Sequence, residues 1–408
     1  MKNKINILYV HFGEEWIRGS ERCLIDLLSD IDRERFNILV WCNSRVLCEE
    51  LDKRDIETVR TDFTVLFGWD HPKLDFFNFS HLTKISLDII QNKKIDLIHA
   101  NSGAPNQWLA IPSRIKKIPL ITHLHAPYIL RDRLTLCLHH AHHIVGVSNA
   151  VASAFIDDGR ESKKISVIYN GIDVERLLNL GKSKRIYPID EQNSSIRFTT
   201  IGSLIERKGV DVCIHTIKAL ITIGYRCSLT VIGDGPLRDT LKAQVETLGI
   251  SESVNFIGEQ KDPFVWLKHC TDIYISCPNE EAFGLTFAEA GLAKLPVIAT
   301  RVGGIPEVVV HNKTGVLVDP GDHLALVNAA INLIEKPVHR KSLGKNGFRR
   351  VIKKFSINEN RKRFEKLYVD TINEIPGHSF RYLKNILINR IKNKNHSALE
   401  KISYLAGE

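Results

Sequence analysis

Short apolar runs separated by polar, helix-spaced stretches recur along most of the chain. The first run, Ile5-Asn6-Ile7-Leu8-Tyr9-Val10, is continuous enough for a strand buried on both faces. A polar loop with Gly13 and Gly19 follows, and Glu21 to Leu28 then has helical spacing. Phe36 to Trp41, Asp96 to Ala100, Pro119 to His125, Ile144 to Val147 and Ile165 to Tyr169 read as further strands, with helices over 80–91 and 149–155. Such strands alternating with helices predict a parallel sheet covered on both sides.

The pattern pauses at 181–195, a polar stretch containing Gly181 and Pro188 that reads as a linker. A second series then predicts strands at 196–201, 228–232, 254–257, 273–276, 297–299 and 315–318. Its helices fall near 209–222, 235–248, 263–269, 285–293 and 323–335. The fold class is α/β, with a first domain over 1–180, the linker, and a second domain over 196–350. Two such sheets in tandem predict a central cleft at the carboxyl ends of their strands, where ligands of open α/β sheets bind.

Composition removes several classes and adds no new one. The 408 residues are 43% hydrophobic and 25% charged, which excludes disorder, collagen and coiled coil as descriptions of the whole chain. The opening apolar run is too short for a signal-peptide core. No stretch offers the ~18 apolar residues of a membrane-spanning helix. The eight cysteines form no Cys-x-x-Cys pair and sit mostly in apolar runs, so they read as reduced core thiols of a cytoplasmic protein.

Net charge is +9, and its location matters more than its size. Residues 336–408 carry 18 Lys/Arg against 6 Asp/Glu, whereas residues 1–335 carry 38 against 41. The excess therefore belongs to the C-terminal end, and the remainder is close to neutral. Within the tail 376–408, the segment 380–394 places apolar residues at 380, 383, 387 and 391 beside Arg and Lys. That stripe suits a helix lying on an anionic membrane surface, at the inner face of the cell membrane. A helix docked on the protein with a solvated basic face is the plainer reading. No nucleic-acid module accompanies the charge, so nucleic acid is not an expected partner.

The chemistry concentrates at predicted strand ends. In Cys277-Pro-Asn-Glu-Glu-Ala-Phe-Gly-Leu-Thr-Phe-Ala-Glu289 a strand ends, a loop carries Glu280 and Glu281, and a helix begins near Gly284–Leu285. Free amides at a helix start suit a phosphate or a sugar oxygen. Glu281 before the helix and Glu289 one turn inside it can both face one cleft, and a carboxylate matches a vicinal diol. The plain alternative makes Glu281 a partner of the helix dipole and Glu289 a solvated surface residue. Upstream, Gly202-Ser-Leu-Ile-Glu-Arg-Lys-Gly209 joins a strand to a helix and places Arg207 and Lys208 side by side, a clamp for a diphosphate or simply an exposed basic pair. Val231-Ile-Gly-Asp-Gly-Pro236 and Gly303-Gly-Ile-Pro-Glu307 are further glycine turns with Pro at a helix start. No P-loop is present.

These pieces, in this order and spacing, resemble the nucleotide-sugar domain of retaining GT-B glycosyltransferases of the group 1, or family-four, class. Ile201-Gly-Ser-Leu, Arg207-Lys-Gly, Val231 to Pro236, Asn255-Phe-Ile-Gly258, the Glu281/Glu289 pair, Pro296 to Glu307 and Thr314-Gly315 carry the resemblance. The first half matches the acceptor domain more loosely, through Gly19-Ser-Glu21, Pro119 to His125, Val145 to Ser148 and Val167 to Asp173. The resemblance implies two Rossmann-like domains facing a cleft, with a helix over 351–375 crossing back to the first domain. It implies a nucleotide-sugar donor, UDP- or GDP-linked, with no cofactor or metal required. The acceptor would be a glycan or lipid-linked molecule of bacterial cell-surface polysaccharide synthesis.

The resemblance also implies roles. Arg207 and Lys208 would bind the diphosphate and stabilise the charge of the leaving group. Glu281, with backbone near Phe283, Gly284 and Leu285, would hold the transferred hexosyl or N-acetylhexosaminyl group. Glu289 would bind the ribose, backbone near Ile257 would meet the base, and Gly19 would let the first domain approach the donor. His125 stands at the acceptor-side histidine position, with His123 as the alternative, since both lie on one side of a strand. Ser203 stands where many relatives carry Arg, which leaves Arg207 to supply the second cation. Ser20 stands where a second Gly is usual.

Two further motifs are weaker. Asp30-Ile-Asp32 has a metal-binding form but closes a surface helix. His139-His-Ala-His-His143 offers imidazoles at i, i+3 and i+4 if it is helical, without a matching carboxylate nearby in sequence. Two other functions compete with transfer: a nucleotide-sugar epimerase or hydrolase on the same fold, acting on donor alone, and a binding protein without turnover.

Overall fold

The computed structural model describes residues 4–66, 74–182 and 195–374. Most of the predicted linker, and the whole tail segment 380–394, lie outside the described residues. The described residues form two compact units, one of residues 4–168 with 361–374 and one within residues 169–360.

In the first unit the strands are β1 (Ile5–His11), β2 (Phe36–Cys42), β3 (Glu57–Arg60), β4 (Leu97–Ala100), β5 (Leu120–Leu124), β6 (His143–Gly146) and β7 (Ile165–Val167). They pair in parallel in the order β3-β2-β1-β4-β5-β6-β7. In the second unit they are β8 (Ile196–Ile201), β9 (Cys227–Ile232), β10 (Val254–Gly258), β11 (Ile273–Ser276), β12 (Val297–Thr300) and β13 (Gly315–Val318). Their order is β10-β9-β8-β11-β12-β13, again parallel. In both sheets the strand order reverses once, between β1 and β4 and between β8 and β11. At such a reversal the loops leaving the carboxyl ends diverge to opposite faces and leave a crevice.

The strand interiors are apolar because both faces are covered. Phe198, Leu229, Val231, Ile273, Ile275 and Ile298 are buried beneath Ile214, Ile217 and Leu220 of the helix Val210–Thr222. Each fully buried side chain of this size stabilises by roughly 1.5–3 kcal/mol. In the first unit, Ile7, Leu8, Tyr9 and Val10 are inaccessible, as are Val40 and Trp41.

Two local expectations differ from the structure. The run 139–143 is not a helix face: Leu138–His140 is a 3-10 turn and His143 opens β6. Strand pairing of the β-branched Ile144 and Val145 with β5 and β7 outweighs any helical spacing there. His139 instead lies 3.0 Å from Asp158, and His143 meets Ser166 at 2.8 Å, so the imidazoles serve separate contacts. Asp30 pairs with Arg361 at 2.9 Å, while Asp32 accepts the Glu34 amide. Finally, residues 169–180 and 351–360 group with the second unit. The bridge between Ile172 and Ser356 and the bond from Asn360 Nδ2 to the Tyr169 carbonyl, at 2.7 Å, tie these pieces together.

Candidate active site

In the second unit, the loops that leave the carboxyl ends of β8, β9, β10, β11 and β12 are laced by backbone bonds. The Gly202 amide donates to the Ile232 carbonyl, Leu204 to Asp234, Gly233 to Gly258, Asn279 to Arg207, and Gly304 to Glu281, all at 2.8–3.0 Å. The approach is close enough to demand glycine at two points. Gly209 has φ +59°, and a Cβ there would stand 1.9 Å from the Cys277 oxygen. Gly303 has φ +49°, and a Cβ would stand 1.9 Å from the Glu281 oxygen.

This lacing brings Lys208 and Glu281 together across the β8/β11 reversal. Lys208 Nζ donates to Glu281 Oε2 at 2.6 Å, with side chains 21% and 16% exposed. Arg207 beside it is exposed. The helix Leu285–Leu292 starts three residues beyond Ala282, after Gly284, and no side chain caps that start. Glu281, the amide-lined turn and the Lys208 ammonium thus form one polar patch on the rim of the sheet. It sets cations, which suit an anion, beside a carboxylate and a dipole end, which suit hydroxyl groups.

The other predicted donor residues are placed unevenly. Phe283 is buried, its ring 6.0 Å from that of Tyr169 and 5.5 Å from that of Phe355, so only its backbone is offered to a ligand. Glu289 is half-buried one turn into the helix, close enough to Tyr274 to disfavour its phenolate. Burial is the larger cause of the raised Tyr274 pKa, and its hydroxyl donates to Thr286 Oγ1 at 2.8 Å. Ile257 falls at a register shift between β10 and β9, which bulges its backbone from the ladder. Its carbonyl accepts from Gln260 Nε2 at 2.9 Å. Gln260 is a neighbour that pattern reading did not single out. Ser203 is half-buried, and its carbonyl accepts the Ile205 amide at 2.9 Å.

In the first unit a chain of polar side chains lies at the β1/β4 reversal. His11, the last residue of β1, bonds Glu21 Oε1 through Nε2 at 3.0 Å. Glu21 also accepts the Arg18 amide and the Ser20 hydroxyl, both at 3.0 Å. Ser20, in place of a second glycine, therefore adds a donor to this carboxylate, while Gly19 opens the helix Gly19–Asp30 at the surface. Asn101, the residue after β4, bonds His11 Nδ1 at 3.1 Å through Nδ2 and His125 Nε2 at 3.2 Å through Oδ1. Burial alone would raise the Glu21 pKa, but the His11 bond and the donors around it bring it down to about 2. Burial, assisted by His11, lowers His125 to about 3.

The structure separates the two histidines that strand spacing could not. His125 lies just past β5 and is half-buried, whereas His123 is 3% exposed beneath it. Their rings are 4.1 Å apart, and His123 also packs on His99 and Phe364. Neither His123 ring nitrogen has a hydrogen-bond partner. Burial accordingly pushes its pKa far down, and it is a neutral core group under His125. His11 and Asn101 escaped the sequence reading. Their signal is positional, since each stands where a central strand ends.

The comparisons cover both units. The family described as Glycosyl transferases group 1 matches residues 184–350, and that described as Glycosyltransferase Family 4 matches residues 17–176. The N-acetyl-alpha-D-glucosaminyl L-malate synthase of Bacillus anthracis is 26% identical over 301 residues, 70% of this chain and 78% of that protein. The capsular polysaccharide biosynthesis glycosyltransferase CapM of Staphylococcus aureus is 27% identical over 57% of this chain and 63% of its own length. Among solved structures, a glycosyltransferase from Rickettsia africae superposes with a TM-score of 0.77 at 22% identity, over 91% of this chain and all of that one. HepE of Anabaena in complex with UDP gives 0.74 at 22% identity, over 90% of this chain and all of that one. The fold is thus GT-B, and the chain belongs to the group 1 glycosyltransferases.

Proposed function

We propose that this enzyme moves a sugar from a UDP- or GDP-linked donor to a glycan or lipid-linked acceptor of a bacterial cell-surface polymer, with retention at the anomeric carbon. The observation that carries the reading is the Lys208–Glu281 pair on the β8/β11 rim, beside the uncapped helix start at Gly284. On donor binding, Lys208 and Arg207 turn to the diphosphate, whose negative charge grows as the glycosidic bond breaks. Glu281, released from Lys208, accepts from the sugar hydroxyls, and Glu289 takes the ribose. His125 orients the acceptor hydroxyl. With a pKa near 3 its imidazole can accept a hydrogen bond but cannot hold the proton at neutral pH. That supports handing the proton to the departing phosphate, on the face of the sugar from which the phosphate leaves. Relatives named for capsule and lipopolysaccharide-core synthesis support the acceptor class.

Melting the protein with UDP, GDP and ADP tests the donor. A nucleotide at about 100 times its dissociation constant stabilises by about 2.7 kcal/mol, and one base is expected to stand out. Glu281→Gln should then lower turnover by roughly 10- to 100-fold, the worth of a charge-assisted hydrogen bond. Nucleotide release from donor and acceptor is the readout. Epimerised donor without released nucleotide would overturn transfer in favour of an isomerase.

A further inference from the structure

His125 can serve an acceptor hydroxyl in two ways, as hydrogen-bond donor or acceptor, and the choice depends on which ring nitrogen carries the proton. In a neutral imidazole that is decided by the partners of the other nitrogen. The partners here run in one direction. Glu21, its pKa near 2, is a carboxylate at any working pH and can only accept. His11 Nε2 must therefore donate to it across their 3.0 Å contact. His11 Nδ1 then carries the lone pair, and Asn101 turns its amide nitrogen toward it at 3.1 Å. The same side chain has only its carbonyl oxygen left for His125, and His125 Nε2 must donate to it at 3.2 Å. The proton of His125 therefore sits on Nε2, and its lone pair on Nδ1.

We propose that Glu21, His11 and Asn101 form a polarity relay that fixes His125 as the Nε2–H tautomer, leaving Nδ1 to accept a hydrogen bond from the hydroxyl to be glycosylated. Glu21 and Asn101 are positioning residues, acting through rings they orient. The part that concerns the hydroxyl rests on the transferase reading; the tautomer itself does not. The relay explains why a carboxylate in the first turn of the helix Gly19–Asp30 is buried and given three donors. An ambidextrous group at 21 would let His11 invert. Its Nδ1 would then donate, Asn101 would present its oxygen to His11 and its amide nitrogen to His125, and His125 would carry its proton on Nδ1. The hydroxyl would then meet a donor where it needs an acceptor.

The test is nitrogen NMR of the full chain labelled with 15N-histidine, with no sugar or nucleotide present. The His125 signals are identified by their loss in His125→Asn. In the unsubstituted protein the expected spectrum has a protonated Nε2 and a bare Nδ1. Glu21→Gln, whose amide both donates and accepts, should shift His125 toward the Nδ1–H form or an average of the two. Asn101→Asp, which can only accept and so still takes the His125 Nε2 proton, should keep it Nε2–H. A protonated Nδ1 in the unsubstituted protein overturns the relay, and so do His125 signals unchanged by Glu21→Gln in a protein that melts normally. If Glu21→Gln does not fold, the unsubstituted spectrum with Asn101→Asp still decides. Because no substrate is present, failure here overturns the relay alone; the transferase reading falls only with the turnover experiment above.

Discussion

Gly209 shows how much of the site hangs on single backbone positions. It ends the Arg207–Lys208 loop with φ +59°, and its missing Cβ lets that loop lie against the Cys277 carbonyl. Gly224 has φ +99° but nothing within 4 Å of a built Cβ. An alanine at 224 pays only for its backbone conformation, roughly 1–2 kcal/mol. An alanine at 209 pays that and must also push the β8 and β11 loops apart, which would separate Lys208 from Glu281. We expect Gly209→Ala to lower the urea midpoint by clearly more than Gly224→Ala. It should also abolish the nucleotide-induced rise in melting temperature that Gly224→Ala retains. Equal effects in the two variants would show that the loop approach carries neither stability nor binding.

The helix Ile357–Asn373 makes the same kind of argument at the scale of an element. Its residues from 361 onward group with the first unit, where Tyr368 is fully buried against β1 and β4. The Tyr368 hydroxyl meets Tyr9 OH and His99 Nδ1, each at 2.8 Å. Tyr368→Phe keeps the ring packing and removes one oxygen, leaving two buried polar atoms unpartnered. The cost of each is about 1–3 kcal/mol, so the variant should unfold at visibly lower denaturant, and Tyr9→Phe in the same background should recover part of the loss. Patterning made most elements legible. β11 and β13, and the helices Pro263–His269 and His323–Glu335, have the bounds that periodicity predicts, because both faces of those strands and one face of those helices are buried. β3 was not legible, since the edge strand Glu57-Thr-Val-Arg alternates too briefly to be distinguished from a loop. The proposed donor residues could be picked out of the sequence for a different reason: the glycines and paired charges around them are contiguous in two loops. The relay was not, because His11, Glu21, Asn101 and His125 come from four places in the chain and only the adjacency of β1, β4 and β5 collects them.

At the scale of the whole molecule, the buried ionisable groups are unevenly shared between the two units, and this sets how the protein responds to acid. Burial brings His99 and His125 to about 3, holds His123 well below its ordinary value, and with Arg160 nearby brings His140 and His143 to about 4. All five belong to the first unit. Each is neutral when folded, while the unfolded chain takes up a proton near pH 6.5. The unfolded state therefore binds more protons below that pH, and stability that is complete above about 6.5 falls as the solution is acidified. The slope is about 1.4 kcal/mol per pH unit for each such histidine. Glu21 acts lower down: its folded pKa is depressed to about 2, so its contribution is present above the unfolded carboxyl value and is lost only as pH falls toward 2. Between pH 7.5 and 5 the histidines carry most of this change. Scanning calorimetry over that range should show the transition of the first unit moving down while that of the second moves much less, so that one endotherm broadens or splits. His123→Phe, which replaces a titrating ring by one that packs against Phe364 without a charge, should reduce the acid shift. A first-unit transition that keeps its temperature from pH 7.5 to 5 would mean that these imidazoles take up protons without unfolding and are reached by water.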